Sequence, residues 1–379
     1  MYFRKLGKTN INVSVIGLGT EFLWHEPQDV VTTVVHEALD NGVNYFDLWM
    51  PSPEIRDYFG DAVKGHREKI NIAGHLGSTL KDGQYFRTRD LKLSEEFFDD
   101  LLKRLQTDYV DILMLHFIDD AEDYDSVFES GKFFELALRL KREGKARYIG
   151  MSSHKVPVSL KAVQSGYIDL LMFPINPLFD SLAGDMGLEA YWKEESYPNE
   201  VTPRKSDRRK LYHICEQQGV GIVAMKPYAG GWLLSGKTNE LNLSPVQCLN
   251  YCLAQPGVFT VVPGCKSIAE MKQALSFLNA NESEKNFSIF NSSTRWNLKG
   301  VCMYCNHCLP CPAKIDIGNL TQILNTAEFG LNDMIRTKYQ SLQYKASNCL
   351  KCGSCMKRCP FDVDIIANME KAIKIFDEI

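Results

Sequence analysis

The chain contains 379 residues, of which 45% are hydrophobic and 24% are charged, and its formal net charge at pH 7 is −4. These values are those of an ordinary globular protein, long enough for one large and one small domain or for two medium domains. The near balance of charge argues against a nucleic-acid-binding protein, and no apolar run approaches the roughly eighteen residues of a membrane span. The N-terminus lacks the apolar core of a signal peptide, so a cytoplasmic location is predicted.

Eight short segments rich in apolar and β-branched residues recur along the first 280 or so residues and are predicted as β-strands. They lie at 13–19, 44–49, 70–77, 109–117, 147–153, 169–176, 221–228 and 259–265. Amphipathic segments typical of helices lie between or after them, at 29–42, 90–106, 133–144, 207–219 and 267–279. Apolar strands that are each followed by a helix indicate a parallel sheet covered by helices. Eight such units favour an α/β fold of the (β/α)8 TIM-barrel type over residues 1–285. An open doubly wound sheet is the alternative, but the stretch at 17–22 matches its GxGxxG fingerprint only loosely.

One insertion, at 181–209, separates the sixth predicted strand from its helix. It contains interspersed charged and aromatic residues, and it is long for a connection between a strand and the following helix. Two interpretations remain open: a lid over the mouth of the barrel, or a decorated surface loop.

The last part of the chain, 286–379, is predicted to form a small, mainly helical, ferredoxin-like domain. Eight of the twelve cysteines lie there, in two runs that each end in Cys-Pro: Cys302, Cys305, Cys308 and Cys311, then Cys349, Cys352, Cys355 and Cys359. The second run has the C-x2-C-x2-C-x3-C-P spacing of bacterial ferredoxins, in which the fourth cysteine ligates the other cluster. Two [4Fe-4S] clusters are therefore predicted, with Cys359 joining the first three cysteines and Cys311 joining Cys349, Cys352 and Cys355.

Zinc is the rival interpretation of these runs, because paired C-x2-C elements also form four-thiolate zinc sites. It explains neither the closely spaced third and fourth cysteines nor the Cys-Pro steps. The remaining cysteines, Cys215, Cys248, Cys252 and Cys265, are predicted to be mostly structural.

Polar side chains stand at the predicted carboxyl ends of the strands, where the chemistry of a (β/α)8 barrel gathers. They are Asp47, His75, His116, Ser152, Ser153, His154, Asn176, Lys226, Cys265 and Lys266. A single histidine at a strand end is most often an ordinary polar group, but three at one mouth indicate a site for proton transfer near neutrality. A metal held by His75, His116 and His154 is a further alternative, although their spacing matches no metal motif.

In the order of its motifs the chain resembles the aldo/keto reductases, in the branch with a C-terminal ferredoxin-like extension. The stretches FRKLGKTNINVSVIGLGT, GVNYFD, DYVDILMLH, EGKARYIGMSSH, VAMKPYAGG and VVPGCKS carry the resemblance, together with both cysteine runs. It implies a TIM barrel, a nicotinamide across its mouth and reduction of a carbonyl by hydride. The family's catalytic residues are Asp, Tyr, Lys and His. Asp47 matches the aspartate and His116 the histidine, whereas Ser52 occupies the position of the tyrosine and His75 that of the lysine. A serine hydroxyl is far less acidic than a phenol, so His75 and His116 are predicted to share the proton transfer, with Asp47 orienting or charging one of them.

The same resemblance makes Ser152, Ser153, Lys226, Lys266 and Ser267 the candidate cofactor-binding residues. Ser152 matches the family's carboxamide-binding serine, whereas Ser153 and Met172 stand where asparagine and glutamine are usual. Ser267 with Glu270 forms a capping-box pattern at a helix start, a position that suits a phosphate. Glu270 also stands about where a basic residue would hold the 2′-phosphate of NADP, so the sequence does not support NADPH specificity.

Iron–sulfur clusters pass single electrons, whereas nicotinamides deliver a pair as hydride, so a flavin is the alternative cofactor at the mouth. The sequence predicts an oxidoreductase that acts on a small organic carbonyl or hydroxyl substrate, with electrons passing through the clusters and a redox protein as candidate partner. The competing hypothesis is a non-catalytic electron carrier or redox sensor that docks to a partner enzyme.

Overall fold

The computed structural model describes residues 1–198, 206–235, 242–289 and 299–377. The strands in these residues are β1 (Phe3–Lys5), β2 (Asn12–Ser14), β3 (Leu18–Gly19), β4 (Tyr45–Leu48), β5 (Asn71–Leu76), β6 (Ser78–Lys81), β7 (Gln84–Arg87), β8 (Val110–Leu115), β9 (Ala146–Ser152), β10 (Leu170–Pro174), β11 (Gly221–Met225) and β12 (Val258–Val262). The α-helices are α1 (Gln28–Asp40), α2 (Pro53–Ala62), α3 (Leu91–Arg104), α4 (Ala121–Tyr124), α5 (Lys132–Arg142), α6 (Val156–Ser165), α7 (Asp207–Gln218), α8 (Trp232–Ser235), α9 (Pro245–Ala254), α10 (Ile268–Leu275), α11 (Ile317–Ala327), α12 (Asp333–Gln340), α13 (Ser354–Arg358) and α14 (Ile365–Phe376).

One parallel sheet forms the centre of the molecule, in the order β12-β11-β10-β9-β8-β5-β4-β3. Parallel bridges from Ile16 to Val261 and from Gly19 to Gly264 join its two edges, so the sheet closes into a barrel. All eight of its strands overlap the eight predicted segments, and the predicted TIM-barrel fold is confirmed.

The helices cover the barrel because each buries one apolar stripe. In α5 the buried residues recur at the spacing of one helix face: Phe133, Phe134, Leu136, Ala137 and Leu140. Gly219 ends α7 in the left-handed conformation, with φ of 66°, and starts the tight turn into β11.

The N-terminal hairpin of β1 and β2 closes the lower end of the barrel. The side chains of Leu6, Ile11 and Val13 pack with the barrel interior in one apolar cluster, which includes Tyr45 and Met114. Because this end is plugged, a ligand can reach the interior only from the carboxyl ends of the strands.

The structure departs from the predicted strand–helix alternation after β5. An antiparallel hairpin, β6 and β7, stands between β5 and α3. Its sequence was predicted neither as strand nor as helix, because each of its strands has only four residues and one face is exposed.

The residues from 299 onwards pack against α7 as a small, mainly helical unit. His213 Nδ1 bonds to Thr326 Oγ1 at 2.8 Å, and Gln217 Nε2 donates to the carbonyl of Gly330 at 2.5 Å. The predicted domain boundary at residue 285 precedes the segment 290–298, which lies outside the described residues, and the boundary stays a prediction. Across the described part of the chain, every helix is too short or too polar to cross a bilayer.

Candidate active site

A cavity of about 190 Å³ opens at the mouth of the barrel, where the strands end. Its wall includes Asp47 from β4, His75 from β5 and His116, which directly follows β8. Tyr85 from the hairpin and Trp49 complete this side of the cavity. All three predicted catalytic residues therefore lie around one space.

Four of these side chains form one hydrogen-bonded line. His75 Nε2 lies 2.9 Å from Asp47 Oδ1, and His75 Nδ1 lies 2.8 Å from His116 Nδ1. His116 Nε2 lies 2.7 Å from the phenol oxygen of Tyr85. The line spans from a buried carboxylate to a phenol, and every member borders the cavity.

One set of tautomers satisfies all three bonds when Asp47 is a carboxylate. His75 then donates from Nε2 to Asp47, and His116 donates from Nδ1 to His75 Nδ1. The phenol of Tyr85 donates to the free Nε2 of His116. In this set of tautomers each proton points towards the carboxylate.

Burial determines the protonation states of His116 and Tyr85, the two residues at the phenol end of the line. It holds the pKa of His116 well below its ordinary value, and the nearby His75 and Arg89 lower that pKa further. Burial also raises the pKa of Tyr85 to about 12. The ring of Trp49 stacks on His116, with centroids 5.5 Å apart and planes at 16°, and excludes water from one face of the imidazole. His116 and Tyr85 are therefore both neutral at physiological pH.

Sequence reasoning missed Tyr85. No phenol was expected at the mouth, because Ser52 stands at the family's tyrosine position. In the structure Ser52 is at the start of α2, and its hydroxyl donates to Glu54 at 2.5 Å. The phenol comes instead from the hairpin after β5, 33 residues later in the chain. A tyrosine on a polar segment between two predicted elements was the only available signal.

The alternative of a metal held by the three histidines is not supported by this geometry. His75 and His116 direct their Nδ1 atoms at each other, and His154 Nδ1 faces Asp119 Oδ2 at 3.1 Å. Within the described ranges, no group of three or more His, Cys, Asp or Glu side chains is arranged to hold a single metal ion.

The serines after β9 point in different directions. Ser152 borders the cavity and accepts a hydrogen bond from the backbone N–H of Phe117 at 2.8 Å. Ser153 turns to Asp119, to which its hydroxyl donates at 3.1 Å. Asp119 also accepts from the backbone N–H of His154 at 2.7 Å. Burial raises the pKa of Asp119, but the hydrogen bond from the His154 side chain, followed by those from the His154 backbone and Ser153, lowers it below its ordinary value, and the carboxylate fixes His154 in the wall of the cavity.

A side groove of about 380 Å³ continues from the cavity and shares Glu21, Phe22, Lys226 and Gly264 with it. Lys266 lines this groove as well. Lys226 Nζ lies 3.9 Å from Glu21 Oε2, a distance at which the ammonium remains available to a further anion. The groove therefore presents two cations beside the mouth.

Ser267 and Glu270 at the start of α10 are engaged within the chain. The hydroxyl of Ser267 accepts from the backbone N–H of Glu270 at 3.3 Å, which makes Ser267 the N-cap. The predicted capping box is only half formed, because Glu270 Oε2 accepts from the backbone N–H of Lys266 at 2.9 Å. A carboxylate thus stands where this helix would attract a phosphate.

The described part of the insertion contributes to the wall of the cavity. Leu188 lines the cavity and Trp192 lines the groove. The hydroxyl of Tyr191 donates to the carbonyl of His154 at 2.6 Å, which ties the insertion to the mouth. These contacts favour the lid interpretation. Residues 199–205 lie outside the described residues, and α7 begins at 207, before the predicted end of the insertion.

The eight C-terminal cysteines lie in two groups. In each group, the first three cysteines of one run lie near the fourth cysteine of the other run. A small cavity is bordered by Cys311 together with Cys349, Cys352 and Cys355. In the other group, burial raises the pKa of Cys308 to about 12, with further increases from the neighbouring Cys302, Cys305 and Cys359. Arg358 spans the two runs, donating to the carbonyls of Cys308 and Pro310 at 2.7 Å each. A cubane takes one thiolate per iron, so four cysteines around a cavity fit it.

The four other cysteines, predicted to be mostly structural, are buried. Burial raises the pKa of each thiol, to about 12 for Cys265, so these side chains are inert packing groups.

Comparison with known families agrees with this architecture. Residues 15–247 match the model of the aldo/keto reductase family, and residues 301–364 match a 4Fe-4S dicluster domain. The two matches fall on the barrel and on the C-terminal cysteine runs.

Among curated proteins, the uncharacterized oxidoreductase YqkF of Bacillus subtilis is 25% identical over 330 residues, which cover 78% of this chain and 97% of that protein. The L-galactose dehydrogenase of Arabidopsis thaliana is 29% identical, with 74% of this chain and 89% of that protein covered. The L-glyceraldehyde 3-phosphate reductase of Escherichia coli is 26% identical, over 62% of this chain and 64% of that protein.

Solved structures share the fold. The aldo-keto reductase AKR11C1 from Bacillus halodurans, in its holo form, superposes with a TM-score of 0.59 and 24% identity, covering 75% of this chain and 94% of that one. The putative aldo-keto reductase PA4992 from Pseudomonas aeruginosa gives a TM-score of 0.54 and 23% identity, covering 73% and 95%. The chain is an oxidoreductase that belongs to the aldo/keto reductase family and has a 4Fe-4S domain C-terminal to its barrel.

Proposed function

We propose that this protein interconverts a small carbonyl compound and its alcohol at the mouth of the barrel, with electrons passing through two [4Fe-4S] clusters. The observation that carries the proposal is the line from Asp47 through His75 and His116 to Tyr85, which borders a cavity. We assign the proton transfer to this line, with Tyr85 in place of the family's usual tyrosine and His75 in place of its lysine.

The direction of the hydrogen bonds explains how the line moves a proton. An alcohol at the cavity gives its proton to the oxygen of Tyr85 while the phenol passes its own proton to His116 Nε2. Each following proton then moves one bond towards Asp47. The reverse sequence supplies a proton to the oxygen of a carbonyl that is being reduced. Because the line ends in a phenol, neither Ser52 nor a lysine is needed for this transfer.

For the cofactor, we infer that Ser152, Lys226 and Lys266 hold a nicotinamide or a flavin along the cavity and the side groove. The two lysines suit a diphosphate, and such a cofactor supplies hydride or couples paired to single electrons. Ser153 and Ser267 serve the protein's own hydrogen bonds instead. The carboxylate of Glu270 at the start of α10 disfavours a 2′-phosphate there.

Contacts between the two parts of the chain support electron transfer to the mouth. Arg209 on α7 donates to the carbonyl of Cys302 at 2.5 Å. Its neighbour Arg208 donates to the hydroxyl of Tyr191 at 3.1 Å, and Tyr191 donates to the carbonyl of His154. An unbroken series of covalent and hydrogen bonds therefore joins the first cysteine run to the wall of the cavity.

A test of this function begins with anaerobically purified protein, in which iron, sulfide, flavin and nicotinamide are quantified. Dithionite-reduced protein is then mixed with a panel of small aldehydes and ketones. We expect the cluster absorbance to recover in proportion to the alcohol formed. The non-catalytic carrier hypothesis predicts that the clusters stay reduced, and that outcome would refute the proposal.

The number and wiring of the clusters can be tested by pairs of cysteine substitutions. With the fourth ligands exchanged, Cys308→Ser with Cys359→Ser damages one cluster, whereas Cys308→Ser with Cys311→Ser damages both. We expect about four irons per chain in the first variant and far fewer in the second, against about eight in the wild type. Sequential ligation predicts the opposite order. The cytoplasmic location and the redox partner stay predictions.

A further inference from the structure

The two cysteine groups face different surroundings. In the first group, the side chain of Cys308 is buried, and the carbonyl of Cys302 lies against Arg209 of the barrel. In the second group, Cys352 is exposed, and Leu350 beside it is 67% exposed although it borders the same small cavity as the cysteines. The second group therefore lies at the outer surface of the protein.

This outer surface is basic. Segment 345–359 contains Lys345, Lys351, Lys357 and Arg358 and no acidic residue, in a chain whose net charge is −4. Lys351 pairs with Glu370 on α14 at 2.7 Å. Lys357 and Arg358 are exposed. We call the residues Lys345, Leu350, Lys351, Cys352, Lys357 and Arg358 the cluster-loop surface.

We propose that the cluster-loop surface is the docking site of an acidic protein that carries one electron at a time. An apolar centre at Leu350 with a basic rim fits the small, weak interfaces of redox encounters. The complementary charge would steer such a carrier to the exposed cysteine group.

The inference rests on the proposed function, because it concerns the supply of electrons to the same clusters. One electron passes from the reduced carrier to an oxidised cluster, and no atom moves. Two such transfers, with two protons from solvent, supply what the reduction of one carbonyl to an alcohol consumes.

The experiment uses the holoprotein with a reduced, acidic plant-type [2Fe-2S] ferredoxin as the probe. Stopped-flow absorbance gives the second-order rate constant of cluster reduction, and surface plasmon resonance gives Kd. The variants are Lys351→Glu with Lys357→Glu, and Leu350→Ser. The matched control is Lys64→Glu with Lys69→Glu on the barrel, which changes the net charge equally at exposed lysines. Iron and sulfide content verifies that each variant keeps its clusters.

We expect the wild-type rate constant to fall steeply with ionic strength, and the cluster-loop charge variant to be roughly tenfold slower or more with a weaker salt dependence. The barrel control should behave as the wild type, and Leu350→Ser should raise Kd with little effect on the salt dependence. Equal rates in the two charge variants, or binding only to anionic phosphatidylserine vesicles, would overturn the inference. Reduction by dithionite bypasses docking, so failure of dithionite-reduced protein to convert a carbonyl sinks the proposed function instead.

Discussion

The substitution Tyr85→Phe removes the phenol end of the hydrogen-bonded line and leaves the other side chains at the mouth unchanged. It removes one hydroxyl, whose bond to His116 Nε2 is 2.7 Å long, and it keeps the ring that meets Trp49 edge-on at 5.2 Å. General acid–base catalysis contributes about 10²–10⁴-fold to rate, so we expect kcat to fall by about 10²–10³, which is roughly 3–4 kcal/mol in the barrier. KM should change little, because the substrate cavity keeps its shape.

The assay is the steady-state rate of reduction of an aldehyde found active in the screen, with dithionite in excess and the aldehyde concentration varied, which gives kcat and KM. Ser52→Ala is the matched control, because Ser52 stands at the family's tyrosine position but bonds to Glu54. We expect Ser52→Ala to keep the wild-type rate. A full rate in Tyr85→Phe together with a large loss in Ser52→Ala would refute the assignment of the phenol.

The pH profile gives an independent check. The pKa of Tyr85 is raised to about 12, so its phenol stays protonated across the neutral range. The pKa of His116 is lowered, so its imidazole stays neutral until the solution is well below pH 6.5. The wild-type rate should therefore be flat between about pH 7 and 10. An inflection near pH 8 in that rate would contradict the proposed protonation states.

Three further predictions concern stability, each measured by urea unfolding of the barrel. Asp180→Asn should destabilise the protein by about 3–5 kcal/mol, because it leaves the buried Arg208 without its carboxylate partner, whereas the exposed Asp185→Asn should change little. Burial lowers the pKa values of three buried histidines, His116, His154 and His213. Below about pH 6.5 these histidines take up protons only on unfolding, so the free energy of unfolding should fall as the pH is lowered, by up to about 1.4 kcal/mol per pH unit for each histidine. The variant His213→Asn should reduce this slope by the contribution of one histidine. Tyr45→Phe should leave stability equal or higher, because the buried Tyr45 hydroxyl has no hydrogen-bond partner among the described residues, and a loss above about 1 kcal/mol would contradict this.

The barrel and the cysteine runs could be predicted from the sequence, because both can be identified from patterns within short stretches of neighbouring residues. Strand and helix periods are properties of a dozen neighbouring residues, and eight apolar strand segments were enough to indicate the TIM barrel. The first three cysteines of each run lie at fixed short spacings, which only a cluster or a metal explains, and the C-terminal unit matches a 4Fe-4S domain.

The active-site line depended on tertiary structure. Asp47, His75 and His116 were identified one by one at strand ends, but the sequence could not say that they bond to each other in that order. Tyr85 was missed because a short hairpin with one exposed face carries no strong periodic signal, yet it delivers the phenol to His116. Hydrogen bonds of less than 3 Å between residues dozens of positions apart are set by how a closed barrel brings strand ends and loops together, and no local sequence pattern encodes that distance.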